Sequence, residues 1–411
     1  MRFYFPDSQD LVSPTYDFVR DEYSPLRVRQ RDDKYAHEIL DHEPYHGMLV
    51  SKPIVDGSAT GSAKYSMPQR ERIYRLGVRQ FFRLPATADT LGDCGAFNYV
   101  EEHTPPYSVD EVLDFYEGCG FDAGISVDHV VLAYDADAPL ADASEEWRER
   151  RLISLRLAAE FIDTVRATRS PVIPVGAAQG WSPASYADSV AMLQNMGYQR
   201  IALGGMVPLK TRDILACLQA IDVVRSPGVE LHLLGVTRVD TMAEFALYGV
   251  TSFDSTSPFR QAFMDDKNNY YSSNGNYVAL RVPQVEGNPT LKRNILAGRV
   301  SQRAAASAER ECLGLLRAFD EGLCTAGEVL GALTRYETIA NVRKSFAVEY
   351  ARTLEARPWK ECSCSLCREY GIDMVIFRGT ERNKRRGFHN LSVFKTRLDE
   401  TGLKAKERIR G

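Results

Sequence analysis

The chain has 411 residues, of which 44% are hydrophobic, and its formal net charge at pH 7 is −4. This length is far above the size at which a hydrophobic core becomes difficult to build, and it suggests one large domain with additions, or two domains. The slightly acidic balance does not indicate a polyanion as partner, so a nucleic-acid enzyme of this charge would need to concentrate its basic residues on one face.

Targeting signals are not evident in the sequence. No stretch approaches the roughly 20 apolar residues that a membrane-spanning helix requires, and residues 1–6 lack the regions of a signal peptide. We therefore expect a cytoplasmic protein without membrane association. Cysteines are mostly scattered, but Cys362, Cys364 and Cys367 are clustered, and in a reducing compartment such a cluster favours a metal over disulfides.

Eight short apolar segments rich in β-forming residues recur up to Asp254. The predicted strands are residues 2–5, 47–55, 80–84, 123–128, 172–176, 200–204, 230–235 and 250–254. Helical patterns lie between them at residues 109–117, 144–167, 183–196, 211–224 and 240–248.

Strands that alternate with helices of this length predict βαβ units and a parallel sheet. Eight such strands predict an α/β fold of the (β/α)₈ TIM-barrel type, whose active site is built at the C-terminal ends of the strands. A doubly wound open sheet is the alternative. The absence of Gly-x-Gly-x-x-Gly after the first predicted strand argues against it.

The sequence pattern changes after Asp254. Residues 270–281 predict a hairpin that turns at Asn274-Gly275, and residues 304–356 form a nearly continuous helical stretch, interrupted near Gly322 and Gly331. We therefore predict a catalytic barrel domain over residues 1–284, a helical insertion over 285–357, and a zinc-binding subdomain with a C-terminal tail over 358–411.

The strongest local motif is Cys362-x-Cys364-x-x-Cys367, which His389 follows. Three thiolates and one imidazole fill the tetrahedral shell of Zn²⁺ and leave no position for water, so the motif predicts a structural metal rather than a catalytic one. Unrelated buried thiols are the alternative reading, but three cysteines this close together are hard to place in a reducing cell without a metal.

Two aspartates could carry chemistry. Asp254 ends the last predicted strand, where the polar ends of the earlier strands could converge on it. Asp93 lies in Leu91-Gly-Asp-Cys-Gly-Ala-Phe97, where flanking glycines let the backbone turn sharply and approach a ligand. Taken alone, an aspartate in such a loop is more often a cap of a turn.

The order of several short motifs resembles that of the tRNA-guanine transglycosylase superfamily. That family has an Asp-Ser-Gly-Gly-Phe-Gln loop, a substrate aspartate, Gln-Gly, Gly-Gly-Leu, Leu-x-Gly-Val, a Phe-Asp nucleophile and the same cysteine and histidine pattern. The matching residues here are Asp93-Cys-Gly-Ala-Phe-Asn98, Ser126-Val-Asp128, Gln179-Gly180, Leu203-Gly-Gly-Met206, His232-Leu-Leu-Gly235, Phe253-Asp254, Cys362, Cys364, Cys367 and His389.

The resemblance implies roles for these residues. Asp254 would be the nucleophile that attacks C1′ of a guanosine nucleotide, and Asp93 the general acid and base. Asp128 would bind the N1 and N2 edge of guanine, and Gln179 would donate to O6. Gly204, Gly205 and Phe97 would complete the binding site for the base.

Physical chemistry agrees with this assignment. Breaking an N-glycosidic bond passes through an oxocarbenium-like state, and retaining sugar chemistry uses one carboxylate as nucleophile and another as acid and base. A base inside a duplex cannot reach a barrel mouth, so the target nucleotide must be flipped out or single-stranded. Taken singly, Asp128 and Gln179 are more often caps or loop hydrogen-bonding residues than ligands. Cys94 is interpreted as a small filler and His129 as a neutral packing residue.

Several positions depart from the tRNA-modifying pattern. The family's Ala-Val-Gly-Glu after Gly-Gly-Leu is replaced by Val207-Pro-Leu-Lys210. A glutamate there suits a cationic aminomethyl group, so its loss indicates a neutral 7-substituent such as the nitrile of 7-cyano-7-deazaguanine. The long spacer between Asp254 and Cys362, and the absence of an RNA-binding domain after the zinc motif, resemble the DNA-modifying branch.

The principal hypothesis is therefore a DNA-guanine transglycosylase that inserts a 7-deazaguanine base. Its partners would be DNA, the free base and other proteins of a modification complex. The family resemblance also implies a homodimer. The helical insertion and the basic run 382–386 would contact the DNA backbone or a partner protein, although a solvated face is equally compatible with the run. A tRNA transglycosylase and a non-catalytic nucleic-acid-binding subunit are the two alternatives.

Overall fold

The computed structural model describes residues 1–7, 9–57, 63–340 and 344–410, with side chains described as far as Thr401. Its central feature is a closed barrel of eight parallel strands in which each strand pairs with the next and the first pairs with the last. The strands are β1 (Arg2–Pro6), β2 (Gly47–Ser51), β3 (Asp89–Asp93), β4 (Ala123–Ile125), β5 (Ile173–Ala178), β6 (Arg200–Leu203), β7 (Glu230–Leu233) and β8 (Val250–Asp254). The predicted barrel is thus confirmed.

Helices alternate with these strands and continue after them. They are α1 (Ala36–Ile39), α2 (Lys52–Asp56), α3 (Met67–Phe81), α4 (Val109–Cys119), α5 (Glu145–Thr168), α6 (Pro183–Met196), α7 (Thr211–Val224), α8 (Met242–Leu247), α9 (Ser257–Met264), α10 (Pro289–Leu296), α11 (Gln302–Asp320), α12 (Ala326–Ile339), α13 (Ala347–Ala356), α14 (Pro358–Glu361), α15 (Ser365–Tyr370) and α16 (Gly379–Arg410). Short 3₁₀ helices span Ala96–Tyr99, Val239–Thr241 and Gly371–Val375.

Side chains on alternate strand positions fill the barrel, because successive residues of a strand point to opposite faces. The buried cluster consists of Tyr4, Leu49, Leu91, Ala123, Ile125, Val175, Ala177 and Ala202. Asp93 and Asp254 continue the same alternation as Leu91 and Tyr4, since Tyr4 is paired with Asp254 in the register of β1 and β8. Both aspartates therefore lie inside the barrel at the carboxyl ends of their strands.

The third strand differs from its prediction. Residues 80 and 81 are the last two residues of α3, and residues 82–84 follow it. Phe81 and Phe82 are buried, and the third strand lies further on, at Asp89–Asp93. This strand reads Asp-Thr-Leu-Gly-Asp and has little apolar character. Asp89, Thr90 and Asp93 bind Arg2, Asp122 and Ser51, and a Cβ at residue 92 would lie 2.3 Å from the Tyr116 ring. These non-local contacts explain why the strand lacks the apolar pattern on which the prediction depended.

The chain divides into two compact units. The first comprises residues 1–8, 45–256 and 398–411, and the second comprises residues 9–44 and 257–397. The predicted domain boundaries after residues 284 and 357 both lie within the second unit, so the three-part division stays a prediction.

The second unit contains the predicted hairpin, formed by β9 (Tyr270–Ser272) and β10 (Gly275–Tyr277). It also contains a short parallel pair, β11 (Leu280–Arg281) and β12 (Ile376–Phe377). The helical stretch is interrupted after Asp320, near Gly322 as predicted, but Gly331 lies inside α12 and interrupts nothing. In the part of the chain that the structure describes, no helix is both long and apolar enough to cross a membrane.

Candidate active site

Asp254 is buried at the end of β8, and its Oδ1 atom has two polar neighbours. The backbone N–H of Gly235 donates to Oδ1 at 2.9 Å, and Nε2 of His232 lies 3.2 Å from the same oxygen. On its other side, the His232 ring contacts Oγ of Ser252 through Nδ1 at 2.9 Å. When Ser252 donates to Nδ1, the ring proton is on Nε2 and faces Asp254. The carboxylate is thereby fixed in orientation.

Asp93 ends β3 and lines the same cavity as Asp254. Oγ of Ser51, the last residue of β2, donates to Oδ2 of Asp93 at 2.6 Å. Burial raises the pKa of Asp93, and the negative charge of Asp254 raises it further, although Ser51 and the Gly95 backbone N–H oppose the shift. A carboxyl group of raised pKa can hold a proton at neutral pH and give it to a leaving group.

Asp128 and Gln179 form a hydrogen-bonded pair. Nε2 of Gln179 donates to Oδ2 of Asp128 at 2.5 Å, and the backbone N–H of Val131 donates to Oε1 of Gln179 at 3.1 Å. Burial raises the pKa of Asp128 to about 6. These hydrogen bonds orient both side chains, and the second hydrogen of the Gln179 amide remains able to bind a ligand.

Cys94 has a more specific position than the predicted small filler. Its thiol donates to Oδ1 of Asp128 at 3.0 Å, and the Tyr99 hydroxyl donates both to Sγ, at 3.2 Å, and to the backbone oxygen of Asp128, at 3.1 Å. Burial and the charge of Asp128 raise the pKa of Cys94, so the sulfur remains a protonated donor. The hydrogen bond from Cys94 to Asp128 connects residues 34 positions apart in the sequence, and no local sequence pattern predicts it.

Gly204 and Gly205 follow β6 and form one wall of the cavity. A Cβ at residue 204 would lie 2.0 Å from Nε2 of Gln179. Gly205 has a φ of +70°, and a Cβ there would lie 2.3 Å from the backbone oxygen of Val131. Larger residues would therefore displace Gln179 or the chain at Val131, so the wall requires glycine.

One cavity of about 230 Å³ brings together all seven residues that the sequence assigned to catalysis or to the base. Its lining includes Asp93, Phe97, Asp128, Gln179, Gly204, Gly205 and Asp254. Phe97 is 67% exposed, so its ring is available to a ligand. Sequence reasoning gave no role to Ser51, His232 or Gly235, although the last two lie in a quoted motif.

His129 does not join this cavity lining. The ring is buried, Nε2 lies 2.8 Å from the backbone oxygen of Glu102, and burial lowers the pKa of His129. These contacts are those of a neutral histidine within the packed interior.

Cys362, Cys364, Cys367 and His389 come together in the second unit. Their ligand atoms all lie within 4.8 Å of one another, and Nδ1 of His389 is 3.3 to 3.6 Å from the three sulfurs. Nε2 of His389 lies 2.8 Å from the backbone oxygen of Tyr271, which leaves Nδ1 for a metal. Zn–S bonds of about 2.3 Å and Zn–N bonds of about 2.0 Å require donor atoms at such separations. The cluster therefore fits a four-coordinate metal ion.

The basic run 382–386 is not the exposed nucleic-acid surface or solvated face that the sequence suggested. Arg382, Arg385 and Arg386 are buried. Arg382 binds Asp21 and Asp373, Arg385 binds Glu381 at 2.5 Å, and Arg386 donates to the backbone oxygens of Ala262 and Ile376. These three arginines hold the second unit together, so a direct role in DNA contact is wrong for them.

Comparison with known proteins gives one informative similarity. The chain is 45% identical over 407 residues to a protein from Salmonella montevideo named DNA-guanine transglycosylase. The match covers 98% of this chain and 97% of the relative. No protein-family profile matches the chain.

Proposed function

Since this chain belongs to the DNA-guanine transglycosylase family, we propose that it exchanges guanine in DNA for a 7-deazaguanine precursor through a covalent intermediate on Asp254. The observation that carries the proposal is the pair Asp93 and Asp254, two carboxyl groups that line one cavity with a polar pair suited to a purine edge. A retaining displacement at a sugar carbon needs such a pair.

The first half-reaction releases guanine. A carboxylate oxygen of Asp254 attacks C1′ while the bond from C1′ to the guanine nitrogen breaks, and Asp93 gives its proton to the departing base. Burial raises the pKa of Asp93, a shift in the direction that favours a proton donor. The Gly235 N–H and the His232 ring hold Oδ1 of Asp254 in position.

The second half-reaction reverses these steps. The incoming base loses its ring N–H proton to the Asp93 carboxylate, and the same nitrogen attacks C1′, which breaks the ester to Asp254. Each proton that Asp93 gives is thus recovered, and the net change is an exchange of bases with retained configuration. The target nucleotide must leave the helix stack to reach the cavity.

Asp128 and Gln179 would recognise the base. An ionised Asp128 accepts the N1 and N2 hydrogens of guanine, and its pKa of about 6 leaves it ionised at neutral pH. Gln179 would donate its second amide hydrogen to O6, while Gly204 and Gly205 let the base lie against the backbone. Phe97 would cover the base from the open side of the cavity.

The 7-substituent would be neutral, as in 7-cyano-7-deazaguanine. Val207 lies at the cavity beside Gly235, where a Cβ would lie 2.7 Å from Cγ2 of Val207. Lys210 is exposed just before α7 and supplies no carboxylate. A cationic substituent beside Val207 would therefore have no partner from these two positions.

Competition between two precursors tests this specificity. Wild type should insert 7-cyano-7-deazaguanine in preference to its 7-aminomethyl analogue. Val207→Glu should shift the preference toward the aminomethyl base, whereas the neutral, similarly sized Val207→Gln should not. Equal insertion of both bases by wild type would refute a neutral-selective site.

The metal cluster would hold a structural Zn²⁺. When bound, the ion would link the segment Cys362–Cys367 to His389 in α16 and close its shell to water. We expect one zinc per chain by elemental analysis, lost in Cys364→Ser and retained in Cys324→Ser, which lies outside the cluster. A Cys364→Ser variant that retains one zinc would contradict these ligands.

Base exchange itself is tested with guanine radiolabelled at C8, offered with plasmid DNA and, in parallel, with bulk tRNA. We expect label in DNA, none with Asp254→Ala, and unchanged labelling with Glu230→Gln, which lies at the opposite end of a barrel strand. Label in tRNA alone would instead assign the protein to tRNA modification. Cytoplasmic location, a homodimer and partner proteins stay predictions.

A further inference from the structure

The segment from Asn288 to Ala308 has an unusual charge. It contains four basic residues, Lys292, Arg293, Arg299 and Arg303, and no acidic residue. The chain as a whole has 55 acidic and 51 basic residues, so this segment is locally positive in a chain of net charge −4. We call these four residues the α10–α11 basic surface.

All four side chains are exposed. Among the described residues none of the four has a carboxylate partner, and Arg293 reaches only the Thr290 hydroxyl at 3.5 Å. Some exposed arginines of the same unit do pair with a carboxylate, for example Arg335 with Glu311. The surface therefore carries four exposed cations that form no ion pair with a described carboxylate.

The backbone holds this charge in a defined arrangement. α10 ends at Leu296, Gly298 adopts a φ of +68°, and the Arg299 N–H donates to the Asn294 oxygen at 2.9 Å. Ser301 then caps α11 by accepting from the Ala304 N–H at 3.3 Å. The four cations are thus presented by two helix ends and a hydrogen-bonded turn.

The helix electrostatics make the surface more receptive to anions. Neither α10 nor α11 has an acidic residue in its first turn, and Arg303 is the second residue of α11. An arginine at this end of a helix is unfavourable because the N-terminus already carries partial positive charge, and an anion nearby reverses that effect.

We propose that the α10–α11 basic surface binds the sugar-phosphate backbone of the DNA substrate. Arginine and lysine bind phosphate oxygens without reading base sequence, and each contact releases counterions from the DNA. This inference rests on the proposed function for the identity of the polymer. The exposed residues of this surface, rather than the buried arginines of the run 382–386, would then contact the DNA.

Fluorescence anisotropy with a labelled duplex of arbitrary sequence, measured over a range of salt concentrations, tests the surface. Arg299→Gln/Arg303→Gln should weaken binding and lower the slope of log K against log salt by about 2, since each phosphate contact contributes about 0.9. Arg299→Lys/Arg303→Lys should retain most of the slope because the charges remain. The matched control Arg156→Gln/Arg169→Gln, on exposed positions of and after α5, should leave binding unchanged.

Exchange assays separate this inference from the proposed function. Arg299→Gln/Arg303→Gln should raise KM for DNA and leave kcat unchanged, because neither residue touches the cavity. Wild-type binding and slope in this variant would overturn the inference while base exchange stands. Absence of exchange in wild type would instead refute the proposed function. If Arg299→Gln/Arg303→Gln weakened binding to tRNA but not to DNA, the assignment of DNA as the ligand of this surface would be overturned.

Discussion

Two regions of this protein place carboxylates in surroundings that shift their pKa values in opposite directions. In the second unit, partial burial alone would raise the pKa of Asp21, but Arg382 and Arg378 lower it below its usual value. In the barrel, Asp128 is more deeply buried, its side-chain donors are the neutral Cys94 and Gln179, and its pKa rises to about 6.

The difference separates a structural role from a functional one. A buried charge with its counter-charge is stable as it stands, whereas removal of one partner leaves the other uncompensated. A buried carboxyl group without a cation lies near its protonation point and can exchange a proton or accept a ligand's hydrogens. The charge of the groups that contact a buried aspartate therefore helps to identify the site.

Asp93→Asn should show the largest effect. Exchange should fall by about 10⁴-fold, or about 5 kcal/mol, because one carboxyl group serves as acid and base in both half-reactions. The melting temperature should not fall, since the amide removes a carboxyl group that burial disfavours in its charged form. A variant that retains a tenth of the activity would exclude Asp93 as the acid and base.

Arg382→Met should produce the opposite pattern. Removal of the cation leaves Asp21 and Asp373 less compensated, so the free energy of unfolding should fall by about 4 kcal/mol, measured by urea denaturation. Exchange per folded molecule should be unchanged. The exposed pair offers a control, because Arg335→Met should cost under about 1 kcal/mol. Equal losses in the two variants would remove the distinction between buried and exposed pairs.

Asp128 should give the barrel a pH dependence that Asp128→Asn lacks. A group whose pKa is raised from 3.8 to about 6 on folding stabilises the protein fully below pH 4 and loses that contribution as pH rises through 6. The shift corresponds to about 3 kcal/mol. Wild type should therefore lose stability relative to Asp128→Asn between pH 4 and pH 7.

Urea unfolding of both proteins across this range measures the difference. A constant difference between them would show that Asp128 titrates normally. Binding of guanine to wild type should also weaken below pH 6, because protonated Asp128 cannot accept both hydrogens of the base edge.

Ser252→Ala should have the smallest effect. The substitution removes the hydrogen bond that orients the His232 ring, while Asp254 keeps its hydrogen bond from the Gly235 N–H. We therefore expect kcat to fall roughly fivefold, or about 1 kcal/mol. Thr251→Ala, on the opposite face of the same strand, should leave kcat unchanged. A wild-type rate in Ser252→Ala would show that the Gly235 N–H alone orients the nucleophile.

Sequence patterns were sufficient to predict the barrel and the residues of the candidate cavity, but only where the residues that determine the structure lie close together in the sequence. Seven strands overlap their predicted segments because apolar residues recur within a few positions. The second predicted strand, 47–55, was too long, since β2 ends at Ser51 and Lys52–Asp56 forms α2. Asp89–Asp93 was missed because polar residues and a glycine fill this strand, and their partners, such as Asp122 for Thr90 and Tyr116 for Gly92, are distant in sequence. Asp128 and Gln179 were placed through the resemblance, and their mutual hydrogen bond depended on the fold.

The basic run shows the limit more clearly. Residues 382–386 resemble a nucleic-acid contact in composition, yet Arg382 meets Asp21 across 361 positions of the chain. No window of sequence contains both residues. Composition therefore cannot distinguish arginines that are neutralised in the interior from those, such as Arg299, that remain exposed.

The pairing of Tyr4 with Asp254 determines when catalytic activity appears during folding. This pairing joins the first and last strands of the barrel, so it forms only after some 250 intervening residues have been ordered or looped out. Contacts of such long sequence separation slow folding. During refolding, helical signal should therefore recover before catalytic activity, and the return of activity should report closure of the barrel.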